Sequence, residues 1–163
     1  DLKEAISSHI VCAAEKLRAQ KQKAESITVF VRTSPFKDNF YSNAATTKLN
    51  LASSDTSQLI KAAIKLTNQI FTPNKELTKA GVIMRNLQKV EYLQLNILDR
   101  KSIKALKKRE QLMETIDHIN KTYGKKTLTW AICGVKKPNL GIRQGRISSY
   151  SSTKISHIPM VRA

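Results

Sequence analysis

The sequence predicts an α+β fold: a small antiparallel sheet with two helices packed on one face, followed by a basic helix–strand tail module. Three observations predict it. Three short segments alternate apolar and polar residues with the period of a half-buried strand. Two longer segments space their apolar residues as an amphipathic helix does. Their order, helix–strand–strand–helix–strand, lets both helices cover one sheet face and close a two-layer core.

The first helix is read over residues 1–22, where Leu2, Ile6, Ile10, Ala13 and Leu17 form a stripe and Lys3, Lys16, Arg18 and Lys21 lie off it. Ile27, Val29 and Val31 then alternate with Thr28, Phe30 and Arg32, up to a stop at Ser34-Pro35-Phe36. A second strand is read over 44–51, with Ala45, Thr47, Leu49 and Leu51 inward and Thr46, Lys48 and Asn50 outward. Asp55 and Gln58 stand at capping-box spacing. The helix they open carries Leu59, Ile60, Ala63, Ile64, Thr67, Ile70 and Phe71 on its apolar face and stops at Pro73-Asn74. The third strand, 79–87, sends Ala80, Val82 and Met84 one way and Lys79, Gly81, Ile83 and Arg85 the other.

Periodicity lapses over 88–100 and resumes as a helix over 101–123, with Gly124 at the position of a C-cap. Lys126–Val135 reads as a strand with Leu128, Trp130 and Ile132 on one face. The last 28 residues, with Pro138, Gly141 and Gly145, are expected to be poorly ordered without a partner. The domain reading is therefore 1–88, a linker over 89–100, and 101–163.

The chain has 163 residues and a net charge of +17, an excess that calls for a polyanionic partner, nucleic acid before an anionic membrane face. The charge is uneven, +7 over residues 1–90 and +10 over the shorter remainder. Hydroxyls and cations on the outer sheet face suit phosphate oxygens, and a merely solvated face is the alternative. Cys12 and Cys133 are distant in sequence, and neither they nor His9, His118 and His157 stand at metal-ligand spacing. No apolar run is long enough to span a membrane. The chain is expected to be intracellular and, opening on Asp1, a piece of a longer protein.

Several strings resemble the UmuC-type Y-family (error-prone, lesion-bypass) DNA polymerases. They are Ala13-Ala14-Glu15-Lys16-Leu17-Arg18, Val29-Phe30-Val31-Arg32-Thr33-Ser34-Pro35-Phe36 and Lys79-Ala80-Gly81-Val82. Tyr41-Ser42-Asn43-Ala44, Thr47-Lys48-Leu49 and Arg109-Glu110-Gln111-Leu112-Met113 fit the same family. The resemblance implies a little finger, the family's DNA-binding domain, over 1–88 and a small subfamily-specific C-terminal domain over 101–163. It places the parent in translesion synthesis in the SOS response to DNA damage, in the bacterial cytoplasm and on the nucleoid when active. The implied partners are primer–template DNA held without sequence preference, the sliding clamp, a UmuD-type accessory subunit and a recombinase filament. The expected DNA-contacting residues are Thr28, Arg32, Thr33, Ser34, Thr46, Lys48, Lys79, Arg85, Lys104 and Lys108. Gln94-Leu95-Asn96-Ile97-Leu98 resembles a clamp-binding peptide, Gln94, Leu95, Ile97 and Leu98 being its anchors, with Leu98 where the family often has Phe. Ser151–Ile155 departs from the aromatic tail of the family.

A little finger begins with a strand that this chain lacks. In a ferredoxin-like order that strand would be central, so a gap is expected between two of the three strands, filled by Lys126–Val135 or by residues outside this chain. The five Asp and seven Glu are scattered, with no carboxylate pair to hold the metal ions of polymerase chemistry. The expectation is a non-catalytic chain without cofactor, from a parent that uses Mg²⁺. Two other functions fit: a module devoted mainly to protein docking, and a basic RNA-binding domain.

Overall fold

The computed structural model describes residues 2–36, 39–89 and 100–134, and for 100–104 the backbone only. Helix α1 (Leu2–Ala19) leads into strand β1 (Gln22–Arg32), then β2 (Ser42–Ser53), helix α2 (Thr56–Ile70), β3 (Lys79–Lys89) and helix α3 (Arg100–Thr122), before a 3-10 turn at Ala131–Cys133. The α+β class, the helix order and the three strands follow the sequence pattern. Clamp peptide 94–98 and the tail from 135 onward lie outside the described residues.

Strand order departs from expectation. β1 is the middle strand, paired antiparallel with β2 on one side and with β3 on the other, so the order is β2-β1-β3 without a break. The expected central gap does not exist, and a further strand could join this sheet only at an outer edge. Lys126–Val135 is not a filler strand either. Its described part runs through turns into the 3-10 segment, which packs on α1. The alternation of Leu128, Trp130 and Ile132 does not make a strand here: Leu128 N–H and C=O are both bonded by the Asn120 side chain, at 2.8 and 3.0 Å. That pins the segment to α3 and leaves those backbone groups no ladder to join.

The first strand starts earlier than the alternation suggests. Lys21 adopts a left-handed backbone, φ 52°, closing a tight turn after α1, and β1 pairs with β3 from Gln22 onward. On the β2 side the ladder is irregular. Ala24 faces Ser53 and Ser26 faces Lys48, so β2 spends five residues where β1 spends two. Such a bulge bends a strand and raises its twist.

The core lies between one sheet face and the two helices. Ile27, Val29 and Val31 of β1 are fully buried against Ile6, Ile10 and Ala14 of α1 and Leu59, Ala63, Leu66 and Ile70 of α2. Two residues of the expected stripes change places with neighbours. Ala14 rather than Ala13 is fully buried, and Leu66 joins the core while Phe71, at the α2 C-cap, is 54% exposed. Asp55 caps α2 as expected, accepting from Ser57 and Gln58 N–H, while its own N–H goes to the Ser53 hydroxyl.

Helix α3 is fastened to this body mainly by charge. The Arg18 guanidinium makes a two-pronged pair with Asp117, at 2.6 and 2.7 Å, and also reaches Ser54 C=O and the Thr56 hydroxyl. Arg109 pairs with Asp55, and Lys23 with Glu110. Met113 is the buried apolar anchor of α3, and Trp130 donates to the Ser57 hydroxyl. Between α3, α2 and the outer edge of β2 runs a groove of about 1610 Å³, floored by Leu49, Leu51 and Leu66.

These pairs differ in worth. Arg18 and Asp117 side chains are 11% and 27% exposed, so removing one strands a poorly solvated charge. Arg18→Ala is expected to cost about 2–3 kcal/mol, less than a fully buried pair because Asp117 keeps some water. Lys23→Ala, whose partner Glu110 is 47% exposed, is expected to cost under about 1 kcal/mol. Urea denaturation of the two variants checks the order.

Candidate nucleic-acid interface

The register dictates what the outer sheet face carries. Side chains alternate across a strand, so the residues facing away from Ile27, Val29 and Val31 are Ser26, Thr28, Phe30 and Arg32. Their neighbours form four rows across the sheet: Lys48–Ser26–Arg85, Thr46–Thr28–Ile83, Ala44–Phe30–Gly81 and Ser42–Arg32–Lys79. Two cations thus stand at each end. Ser26 and Arg32 are six residues apart, so the end rows are about 20 Å apart at ~3.3 Å per residue.

Between them lies a less polar strip. The Phe30 ring lies across Gly81, where an added Cβ would meet ring carbon Cζ at 2.6 Å. The glycine is thus a seat for the ring, and any side chain there would lift it. Ile83 is 42% exposed on the same strip. Thr28 and Thr46 bond each other through their hydroxyls at 2.8 Å, and Thr28 is 5% exposed. The pair is a cross-strand tie, and Thr46 is its solvent-facing member.

Glu25 and Asn86 border this face, and the alternation pattern gives no sign of either. The Glu25 carboxylate accepts from Lys48 at 2.7 Å and from the Asn86 amide at 3.3 Å. The Lys48 bond first, and then the Asn86 bond, hold the carboxyl below its ordinary range, and the same contact raises the Lys48 ammonium. Glu25 stands between the ladder pairs of Ala24 and Ser26, beside the bulge of β2. That irregularity is a tertiary feature, which alternation cannot foretell. Asn86 has φ 52°, a left-handed value that asparagine tolerates better than most residues.

The other expected contacts are dispersed. Thr33 is 4% exposed, and its hydroxyl accepts from Tyr41 N–H at 2.8 Å, a bond that closes the β1–β2 loop. Ser34 accepts from Phe36 N–H within that loop. Lys108 is exposed on α3, whose ion pairs reach α1, the α2 cap and the start of β1, so it stands apart from the four-cation face. Lys104 also belongs to α3. Burial pushes the Cys133 thiol up against bonds from Ser8 and Thr129, which suits an inert packing residue beside α1.

Among the described residues no three His, Cys, Asp or Glu side chains gather to hold a metal ion, and no helix is long and apolar enough to cross a membrane.

With this geometry, residues 1–97 match the impB/mucB/samB family C-terminal domain. The chain belongs to that family. Residues 110–161 match a second family, a domain of unknown function, DUF4113. Among curated proteins the chain is similar to Protein ImpB of Salmonella typhimurium, 34% identical over 161 residues, covering 98% of this chain and 37% of the relative. It is 32% identical over 164 residues to Protein UmuC of Salmonella typhimurium strain LT2, covering 99% and 38%. Protein MucB of Escherichia coli is 34% identical over 162 residues, covering 98% and 37%. The chain therefore spans little more than a third of these relatives. The resemblance read from the strings is to this family, and the identity extends along nearly the whole chain.

The Glu25–Lys48 contact is directly measurable. Lys48→Ala should return the Glu25 carboxyl most of the way to its ordinary titration range, Asn86 keeping a remainder, as followed by NMR of the side-chain carboxyl carbon across pH. Because a depressed carboxyl stabilises above its unfolded pKa and loses that on acidification through its folded pKa, the variant should also blunt the acid limb of the stability curve.

Proposed function

We propose that this chain is a non-catalytic, DNA-holding part of an error-prone translesion polymerase acting in the bacterial response to DNA damage. The observation that carries the reading is the outer sheet face: Arg32 and Lys79 in one row, Lys48 and Arg85 in another, with Thr46 between. Cation rows about 20 Å apart by strand geometry can reach phosphates on both sides of a groove about 12 Å wide. Contacts of this kind position a duplex without reading its sequence. The likeness to Protein UmuC, in keeping with the UmuC-type strings of the sequence, supports the polymerase context, and the net charge of +17 supports a polyanion.

In this reading residues 1–88 grip primer–template duplex, 89–100 form a connector, and 101–163 add a second basic region with Lys104 and Lys108. The string Gln94-Leu95-Asn96-Ile97-Leu98, at the very end of the first family match and ahead of the second, favours clamp docking as a second task. Deleting 94–98 should abolish capture by a bacterial sliding clamp and leave duplex binding intact.

The grip has a quantitative signature. Each phosphate contact adds about 0.9 to the slope of log affinity against log salt. Replacing Arg32, Lys48, Lys79 and Arg85 together by Ala should lower that slope by about 3–4. Glu25→Gln should tighten duplex binding at low salt, because Lys48 then has no internal carboxylate to satisfy. Fluorescence anisotropy on a mixed-sequence duplex across a salt series tests both. An unchanged slope in the fourfold variant, or sharp sequence preference in the parent chain, would count against the grip.

A further inference from the structure

Three of the chain's four phenylalanines sit at one end of the fold, away from the core. Phe36 is 96% exposed, Phe40 53% and Phe71 54%. Rings of this size are favourably buried, so three left in water at one end mark a contact surface.

The rings are mounted on a fastened scaffold. Phe36 and Phe40 belong to the β1–β2 loop, and Phe71 caps α2. Tyr41 ties the two together. Its N–H and C=O bond Thr33, its hydroxyl donates to Ile70 C=O at 3.0 Å, and it accepts from Thr72 and Asn43 at 3.0 and 3.1 Å. Phe40 and Phe71 are thus the immediate neighbours of two bonded residues. The phenol is held below its ordinary pKa by the Thr72 bond and then by Asn43, as suits a hydroxyl that accepts as well as donates.

Charge surrounds this end on the side of the sheet. Lys75 lies 5.9 Å from the Tyr41 ring centre. The row Ser42–Arg32–Lys79 is the end row of the basic face, and Thr78 N–H bonds Arg32 C=O at 2.9 Å. Among the described residues of the two connections, Glu76 is the acid set against Lys75 and that row.

We propose that this end is a stacking platform for unpaired nucleotides, continuous with the duplex grip. Exposed aromatic rings flanked by cations suit single-stranded nucleic acid, because every base offers a π-face and every linkage a phosphate. The proposal rests on the duplex-grip reading for its continuity but has its own test.

The test uses the whole 163-residue chain and three probes: a blunt duplex, the same duplex with a single-stranded overhang carrying 2-aminopurine, and the labelled single strand alone. The overhang should bind about five- to tenfold tighter than the blunt duplex and change the 2-aminopurine emission on binding. A combined Phe36→Ala, Phe40→Ala and Phe71→Ala variant should lose that advantage and keep blunt-duplex affinity, and replacement of the three by Tyr should retain it. Single-strand binding with the emission change but no blunt-duplex binding supports the platform and sinks the sheet grip. An overhang without advantage, or an Ala variant that binds all three probes as the parent does, overturns the platform. Loss of self-association in the Ala variant at unchanged DNA affinity assigns the rings to a protein contact and overturns it as well.

Discussion

Burial of Ile27, Val29 and Val31 on the middle strand holds the rest of the molecule in place. These residues are fully excluded from water, and both helices reach the sheet through them. Because β1 is paired along both edges, its outward residues are fixed from two sides at once. Arg32 cannot leave Lys79, nor Ser26 leave Arg85, without a register slip that would turn the core outward. The basic face is therefore a by-product of the hydrophobic one. Its geometry is enforced by apolar burial about one sheet thickness away.

The same constraint explains what could be read from the sequence. Period-two alternation in 27–33 follows from burial on one side, and it foretold both faces of β1. It also gave the inward residues of β2 and β3, while the cap at Asp55 was legible from its spacing to Gln58. Strand order is a different kind of property. It depends on which long-range pairings win, and no residue in β1 announces that it will pair twice. The expectation of a gap came from assuming a ferredoxin-like order, and the ladder of β1 with β3 overrules it. Leu128, Trp130 and Ile132 misled for a related reason. Their alternation is real, but Asn120 bonds the backbone at Leu128, and a local side chain took the place of a neighbouring strand.

Charge is spent unevenly across the surface. Around α3, cations of the body are matched to acids: Arg18 to Asp117, Lys23 to Glu110, and in reverse Asp55 to Arg109. On the outer sheet face, Glu25 pairs with Lys48. The sequence distinguishes poorly between these fates, since a lysine in a fastening pair and a lysine facing solvent look alike in composition. Only the register and the tertiary partners separate cations that build the protein from cations available to something else.

Arg18 has a consequence for how this chain is cut. Its partners Ser54 and Thr56 lie within the first family match, and Asp117 lies within the second. A boundary drawn between the matches would leave a mostly buried guanidinium facing a surface with its carboxylate removed. The freed α3 would carry away Met113 and the cap contact from Arg109 at the same time. Fragments prepared for binding work would then differ from the whole chain in surface charge and in stability together, and a change in affinity would confound the two. Keeping residues 1–134 together avoids this, and an Arg18→Met, Asp117→Leu pair offers a way to make the first segment independent without stranding a charge.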